Sequence, residues 1–404
     1  PRPDWGKSLS PSSIQVPHSI LRHMAPPAAT VAVLGDDLLR EIFILLPTPA
    51  DLLRAALACK PFLRAVRSAP FLRRFRRRHP FTCPLLLGCV VHGPRPRLPT
   101  RAPHLLPACP EAGTHRIVEG GDFTFSFLSR ADWPEAAGNP WQVLDCRNGR
   151  VLLLSRASKE LAVADPLTRR WVSLPARPGI GYALVADDGN SSVFTAVCIS
   201  RRVGAPGLRA FLLSSAELRW AEVASLAEQS DLAGARAMQA NRSLYWKLVG
   251  GERMVAFHTT SMEFTVLELP PFLRQIGFDI IEKGEDGTGG LHLLTMRGFC
   301  IEVWIGVKNG AGGLTWTLVE KSVRFHRAMA EMIGSEHFYQ HTLDVIGVVA
   351  GAVFLRNGEC LFSINLETMK MTRLSPKEKC PSRLIYPCTI AWPPSFLNPT
   401  EQGM

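Results

Sequence analysis

The sequence predicts a multidomain α + all-β chain: a short N-terminal three-helix module followed by a β-propeller-like domain of about six blades. Three observations carry that reading. The apolar period changes from 3.6 residues to short strands broken by turns after Pro80. Asn-Gly pairs, a strong hairpin signal because both turn positions need positive φ, recur at Asn148-Gly149, Asn309-Gly310 and Asn357-Gly358. Five strand–turn–strand units each carry a large residue on the second strand, at Trp171, Trp220, Phe264, Trp316 and Met371, spaced 49, 44, 52 and 55 residues apart.

The helical module comes first. Leu38, Leu39, Ile42, Phe43, Leu45 and Leu46 recur at helical spacing, with Asp36 and Asp37 at the N-terminus, where acidic side chains suit the dipole. Pro47 stops that helix. Thr48 can cap a second helix with Pro49 at its first position, where a missing N–H costs nothing, and Leu52, Leu53, Ala56 and Leu57 continue it. Pro61 starts a third with Phe62, Leu63, Ala65 and Val66, and FLRRFRRRH after Pro70 reads as a further basic helical stretch. Helices this short bury little core. They carry more Leu and Ile than they can enclose, so either a partner or the downstream β-domain covers the surplus.

These residues resemble an F-box. The run LGDDLLREIFILLPTPADLLRAALACKPFLRAV has the leading Leu, the acidic pair, a first helix ending in Leu-Leu-Pro and then Leu-x-x-Ala-x-x-x-Cys-Lys. It departs from the pattern at Leu34-Gly35, where Leu-Pro is common, and at Phe62, which holds the place of an aromatic that is often Trp. The resemblance implies docking on a Skp-type adaptor, and through it a cullin, by Leu34, Leu38, Ile42, Leu45, Leu46, Pro47 and Leu52.

The charge is confined to the same region. The chain has 46 Lys+Arg against 35 Asp+Glu, a net of +11, yet Leu52 to Pro110 holds 12 basic residues and no acidic one. The remainder, 34 basic and 35 acidic residues, is close to neutral. Five of the twelve are Arg73, Arg74, Arg76, Arg77 and Arg78. They read either as the solvated face of a helix that packs Phe71, Leu72 and Phe75 inward, or as a nuclear-import patch. A nucleic-acid surface is the weakest reading, because no aromatic-interleaved platform follows.

In the β-domain, LFSINLETMKMTRLS (361–375) overlays LAVADPLTRRWVSLP (161–175) at an offset of 200. A strand-built period near 50 points to propeller blades, and residues 81–404 hold about six. A β-sandwich is the rival architecture, but it gives no reason for the repeat. A closed ring must pair its ends, and PLLLGCVV (84–91) and IYPCTIAW (385–392) are the candidates to share one blade. The order DCRNGRVLLL, VADPLTRRWVSLP, RSLYWKL, CIEVWIG resembles the F-box-associated, kelch-like β-domain of a cereal-plant F-box family. The expected division is a disordered extension (1–31, with Met24 reading as a natural start), the F-box (32–79), a basic Pro-rich connection with the first strand (80–110), the propeller-like domain (111–395) and a tail (396–404).

Little else suggests chemistry. Ten cysteines are scattered singly without a C-x-x-C pair, which reads as reduced core thiols. His337 and His341 stand four apart without a third ligand nearby, and the acidic Gly-rich run from Glu282 lacks alternating oxygen ligands. No phosphate-binding loop, nucleophile elbow or zincin motif occurs. The longest apolar run, Val345–Leu355, has 11 residues against the roughly 20 of a spanning helix, so no membrane partner is expected. The leading expectation is a non-catalytic substrate-recognition subunit of a Skp–cullin–F-box ubiquitin ligase. It would need no cofactor or metal, would act in the cytoplasm and/or nucleus, and would recruit an unidentified protein target. An F-box scaffold acting outside the ligase is the alternative, and an enzyme built on the propeller is the third reading.

Overall fold

The computed structural model describes residues 34–79, 85–91, 103–108, 118, 120–128, 141–155, 158–186, 193–201, 204, 206–234, 236–282, 290–309, 313–322, 325–333, 343–358, 360–374, 385–390 and 392–397. The expected N-terminal extension, Arg95, Arg97, Arg101, the His337/His341 pair and the acidic run past Glu282 lie outside them.

Four helices stand where a three-helix module was expected: α1 (Asp36–Phe43), α2 (Pro49–Ala58), α3 (Lys60–Val66) and α4 (Ala69–Arg78). The basic stretch is a full helix because Phe71, Leu72 and Phe75 form a buried stripe along it. The breaks follow the prolines. Thr48 caps α2, its Oγ1 accepting from the Asp51 N–H at 3.2 Å, with Pro49 in the first turn. Leu39, Phe43, Leu52, Leu53, Ala56, Ala65 and Val66 form the module's interior. Phe62 sits edge-on to Phe43 at 5.1 Å, so it keeps the packing role of the aromatic it replaces.

The β-domain is a six-bladed propeller. Blade 1 is β3 (Trp141–Arg147), β4 (Arg150–Ser155), β5 (Leu161–Asp165) and β6 (Arg170–Leu174). Blade 2 is β7 (Gly181–Ala186), β8 (Phe194–Arg201), β9 (Leu208–Ser214) and β10 (Trp220–Leu226). Blade 3 is β11 (Met238–Ala240), β12 (Ser243–Lys247), β13 (Arg253–His258) and β14 (Glu263–Glu268). Blade 4 is β15 (Phe278–Ile281), β16 (Leu291–Arg297), β17 (Cys300–Lys308) and β18 (Leu314–Lys321). Helix α5 (His326–Ile333) precedes blade 5, which is β19 (Leu343–Val349), β20 (Ala352–Asn357), β21 (Cys360–Asn365) and β22 (Met371–Arg373).

Blade 6 closes the ring. Its sheet has the order β2-β1-β23, from β1 (Leu85–Val91), β2 (His104–Pro107) and β23 (Ile385–Ile390). Cys89 pairs with Pro387 and Val91 with Ile385, so the two segments expected to share a blade do so. β23 then lies against β3, where the Gly149 N–H donates to the Thr389 carbonyl.

The repeat has a local cause. Asp165 Oδ1 accepts from the N–H groups of Leu167 and Thr168, and Asn365 Oδ1 accepts from those of Glu367 and Thr368. Each of these Asx turns is followed by a residue at positive φ, Arg169 at 59° and Met369 at 53°. At the inner hairpin of blade 1, Asn148 and Gly149 take φ of 46° and 83°, as an Asn-Gly turn requires.

The repeated large residues all lie on outermost strands. Trp220 and Trp316 reach back to the preceding blade, donating their indole N–H to Pro175 O and Glu268 O. Phe264 and Met371 join the apolar layers between blades. Trp171 is the exception and is exposed. The blade before it is the closing one, which has three strands among the described residues and offers Trp171 no fourth strand to pack on.

Two buried aspartates tie innermost strands together. Asp145 on β3 accepts from Cys146 N and, in the next blade, Leu184 N, both at 2.8 Å. Asp279 on β15 accepts from Ile280 N at 3.0 Å and Val348 N of the next blade at 2.6 Å. Losing either carboxylate strands two buried donors. Asp145→Ala and Asp279→Ala are each expected to lower unfolding free energy by about 3 kcal/mol in chemical denaturation. A loss below about 1 kcal/mol would contradict this stitching role.

Candidate functional site

Helix α1 has two apolar faces with different fates. Leu39 and Phe43 point into the module, while Leu38, Ile42 and Leu45, on the neighbouring stripe, are 58, 46 and 65% exposed. Pro47 is exposed, and Leu34 and Leu46 are half-buried against the core. Leu52 corrects the sequence reading: it has no exposure and presents nothing to a partner. It belongs with Leu53 and Ala56 on the inward stripe of α2. Leu57, in the last turn of that helix, is 43% exposed and was not among the expected surface residues. Its position past the end of the buried stripe was the available signal.

Ion pairs hold α1 to the rest of the module. Arg64 on α3 hydrogen-bonds both Asp36 oxygens, at 2.9 to 3.3 Å, and this bonding keeps the Asp36 carboxyl below its ordinary range. Arg74 on α4 does the same to Glu41, with Nη2 2.9 Å from Oε2. Both pairs are exposed, where such contacts add little stability. Arg40 Nε, partly buried, donates to Ala65 O at 3.1 Å.

The far side of the module is covered by the propeller's C-terminal end. Phe75 stacks at 5.7 Å on Trp392, Arg67 Nε donates to Phe396 O at 2.8 Å, and Leu397 is fully buried in the layer that holds Phe71, Leu72 and Phe75. The surplus apolar surface is therefore divided. The propeller takes the α4 side, and the α1 stripe stays open to solvent.

Arg73, Arg74, Arg76, Arg77 and Arg78 are all exposed along α4, opposite its buried aromatics. Arg74 is engaged by Glu41.

Ser243 Oγ meets His258 Nδ1 at 2.9 Å, and His258 Nε2 meets Thr265 Oγ1 at 3.1 Å, forming a row across three strands with no carboxylate behind the histidine. Among the described residues no three His, Cys, Asp or Glu side chains cluster as a metal site, and no helix is long and apolar enough to cross a membrane.

The family model described as F-box protein AT5G49610-like, beta-propeller, matches residues 142–396, well over half of the chain. The chain belongs to this family. In this F-box propeller the match begins within β3 and runs through the closing strand; α1–α4 precede it. Comparison with curated proteins returned no match. Among solved structures, YCF48 bound to a D1 peptide is 10% identical over 58% of this chain and 67% of its own, with TM-score 0.34. TolB from Acinetobacter baumannii is 12% identical over 59% and 54%, with TM-score 0.34. A nidogen/laminin complex gives 10% identity over 60% and 82%, with TM-score 0.34. Likeness at this level carries no functional argument.

Helices α1–α4 should need their seat on the propeller. Phe75→Ala is expected to cost about 3 kcal/mol, because it opens a cavity at the shared layer, and to make the α1–α4 module more sensitive to limited proteolysis. Proteolysis and stability both unchanged would show that this layer does not hold the module.

Proposed function

We propose that this F-box propeller is the substrate-recognition subunit of a Skp–cullin–F-box ubiquitin ligase. The observation that carries the reading is the open aliphatic stripe of Leu38, Ile42 and Leu45 on a module whose opposite side is already covered. A stripe of this kind, left exposed on a marginal helical unit, has the character of a partner's docking site. Leu57 extends the set of exposed leucines. Leu34, Leu46 and Pro47 border it, and Leu52 acts from inside by fixing the helices. The kelch-like, cereal-plant assignment rests on the order of the strand motifs and belongs to the same proposal.

On this reading the protein makes and breaks no bonds itself. It holds a protein target at high effective concentration beside the ubiquitin-loaded enzyme. The packing of α4 on Trp392 and Leu397 supports that role, because it keeps target and ligase in one fixed relation. The exposed Arg73, Arg76, Arg77 and Arg78 suit an added role in nuclear import. Function in the cytoplasm and/or nucleus is part of the proposal.

The deciding experiment is co-purification with a Skp-type adaptor. Ile42→Asp should weaken binding at least about 25-fold, since losing a central anchor costs about 2 kcal/mol or more, while leaving the thermal unfolding of the free protein unchanged. Adaptor binding equal to wild type would reject the docking face. A reconstituted ubiquitination assay then separates ligase subunit from scaffold: adaptor binding without target ubiquitination favours the scaffold. Replacing Arg73, Arg76, Arg77 and Arg78 with Glu should move a fluorescent fusion out of the nucleus, and an unchanged distribution would remove the import role.

A further inference from the structure

The turn between α1 and α2 carries an exposed hydroxyl. Thr48 is open to solvent, and Pro49 follows it directly. Among the described residues no other Ser or Thr is followed by proline. The Thr48 backbone is extended, with φ −130° and ψ 155°, as a residue before proline prefers. A protein kinase holds its acceptor residue in an extended segment. A following proline, with no N–H and a fixed φ, is what a proline-directed kinase selects for.

The hydroxyl heads a row on the outer side of α2. Thr48, Asp51, Arg54 and Leu57 follow at three-residue spacing, which sets them along one side of the helix. Thr48 Oγ1 donates to Asp51 Oδ2 at 2.6 Å and accepts from the Asp51 N–H at 3.2 Å, and Asp51 pairs in turn with Arg54. Leu57 ends the row as one of the exposed leucines. On the other side of Thr48 in the chain, Leu45 and Pro47 are exposed as well. The hydroxyl therefore borders the apolar surface assigned to the adaptor.

We propose that Thr48 is the acceptor of a proline-directed protein kinase, and that its phosphorylation blocks adaptor docking. Thr48 Oγ1 attacks the terminal phosphorus of a nucleoside triphosphate. The bond from that phosphorus to the bridging oxygen breaks, its electron pair leaves on the nucleoside diphosphate, and the hydroxyl proton passes to the kinase's base. The product carries about two negative charges where a neutral hydroxyl stood. Asp51 loses the hydrogen bond it accepted and meets like charge instead, and its partner Arg54 is already engaged. Docking would strip water from the leucines beside this phosphate, and taking an unpaired charge out of water is costly. The inference rests on the adaptor-docking reading of this surface.

The test uses the full chain, a purified proline-directed kinase with ATP, and a Skp-type adaptor. Peptide mass spectrometry should place a phosphate on Thr48. The phosphorylated chain should bind the adaptor at least about tenfold more weakly than the untreated chain, and phosphatase should restore the affinity. Pro49→Ala keeps the hydroxyl; it should bind the adaptor as wild type does, take up little phosphate at Thr48 and show no response to the kinase. This variant also controls for Ser10 and Ser375, which precede prolines outside the described residues. No phosphate on Thr48 overturns the proposal, and so does a phosphorylated chain that binds as well as the untreated one, or equal phosphorylation of Pro49→Ala. Each of those results leaves docking standing, because the untreated chain still binds. An untreated chain that does not bind the adaptor removes the docking reading and this inference with it.

Discussion

The pairing of β1 with β23 joins residues about three hundred positions apart and turns an open array of sheets into a ring. Without it, the edges of β1 and β23 would face solvent, and open edges invite mispairing. The same closure sets the rest of the molecule. β23 becomes an innermost strand beside β3, which seats Tyr386 in the apolar layer shared with blade 1. The chain leaving β23 carries Trp392, Phe396 and Leu397 to the seat of α4. A short helical module that could not bury its own surface thus finds half of its cover at the ring's seam.

The division of that surface is the structural basis for function. α1 is one helix with two adjacent apolar stripes, and their difference in burial follows from which neighbours reach them. Leu39 and Phe43 meet α2 and α3, whereas nothing in the described chain reaches Leu38, Ile42 and Leu45. Ion pairs from Arg64 and Arg74 steady this helix without covering the open stripe. Apart from Arg74, which pairs with Glu41, the arginines of α4 lie exposed opposite the stripe that meets the propeller.

Much of the architecture was legible because its signals are local. Proline and threonine mark the starts of the short helices, and Asn-Gly turns and the Asp165/Asn365 repeat mark the hairpins. The period of large residues located the outer strand of five blades. The missed features depend on distant neighbours. Leu52 lies on a leucine-rich helix whose inward face shows only once α1 and α3 are placed around it. Trp171 shares the spacing of its counterparts, yet it is exposed, and the closing blade before it has three strands among the described residues. Asp145 and Asp279 left a faint trace, a lone carboxylate in an apolar strand, but their partners lie in other blades.

By itself, the sequence determined the order of elements, the two-part organisation, the confinement of positive charge to one segment and an approximate number of blades. These follow from periodicity, turn chemistry and composition, each readable within a few residues. Only the tertiary structure decided which apolar stripe stays open, which aromatics are buried, and that Asp145 and Asp279 find partners in the next blade. These are consequences of closure, which sets neighbours by geometry between blades and leaves no mark at any fixed spacing along the chain.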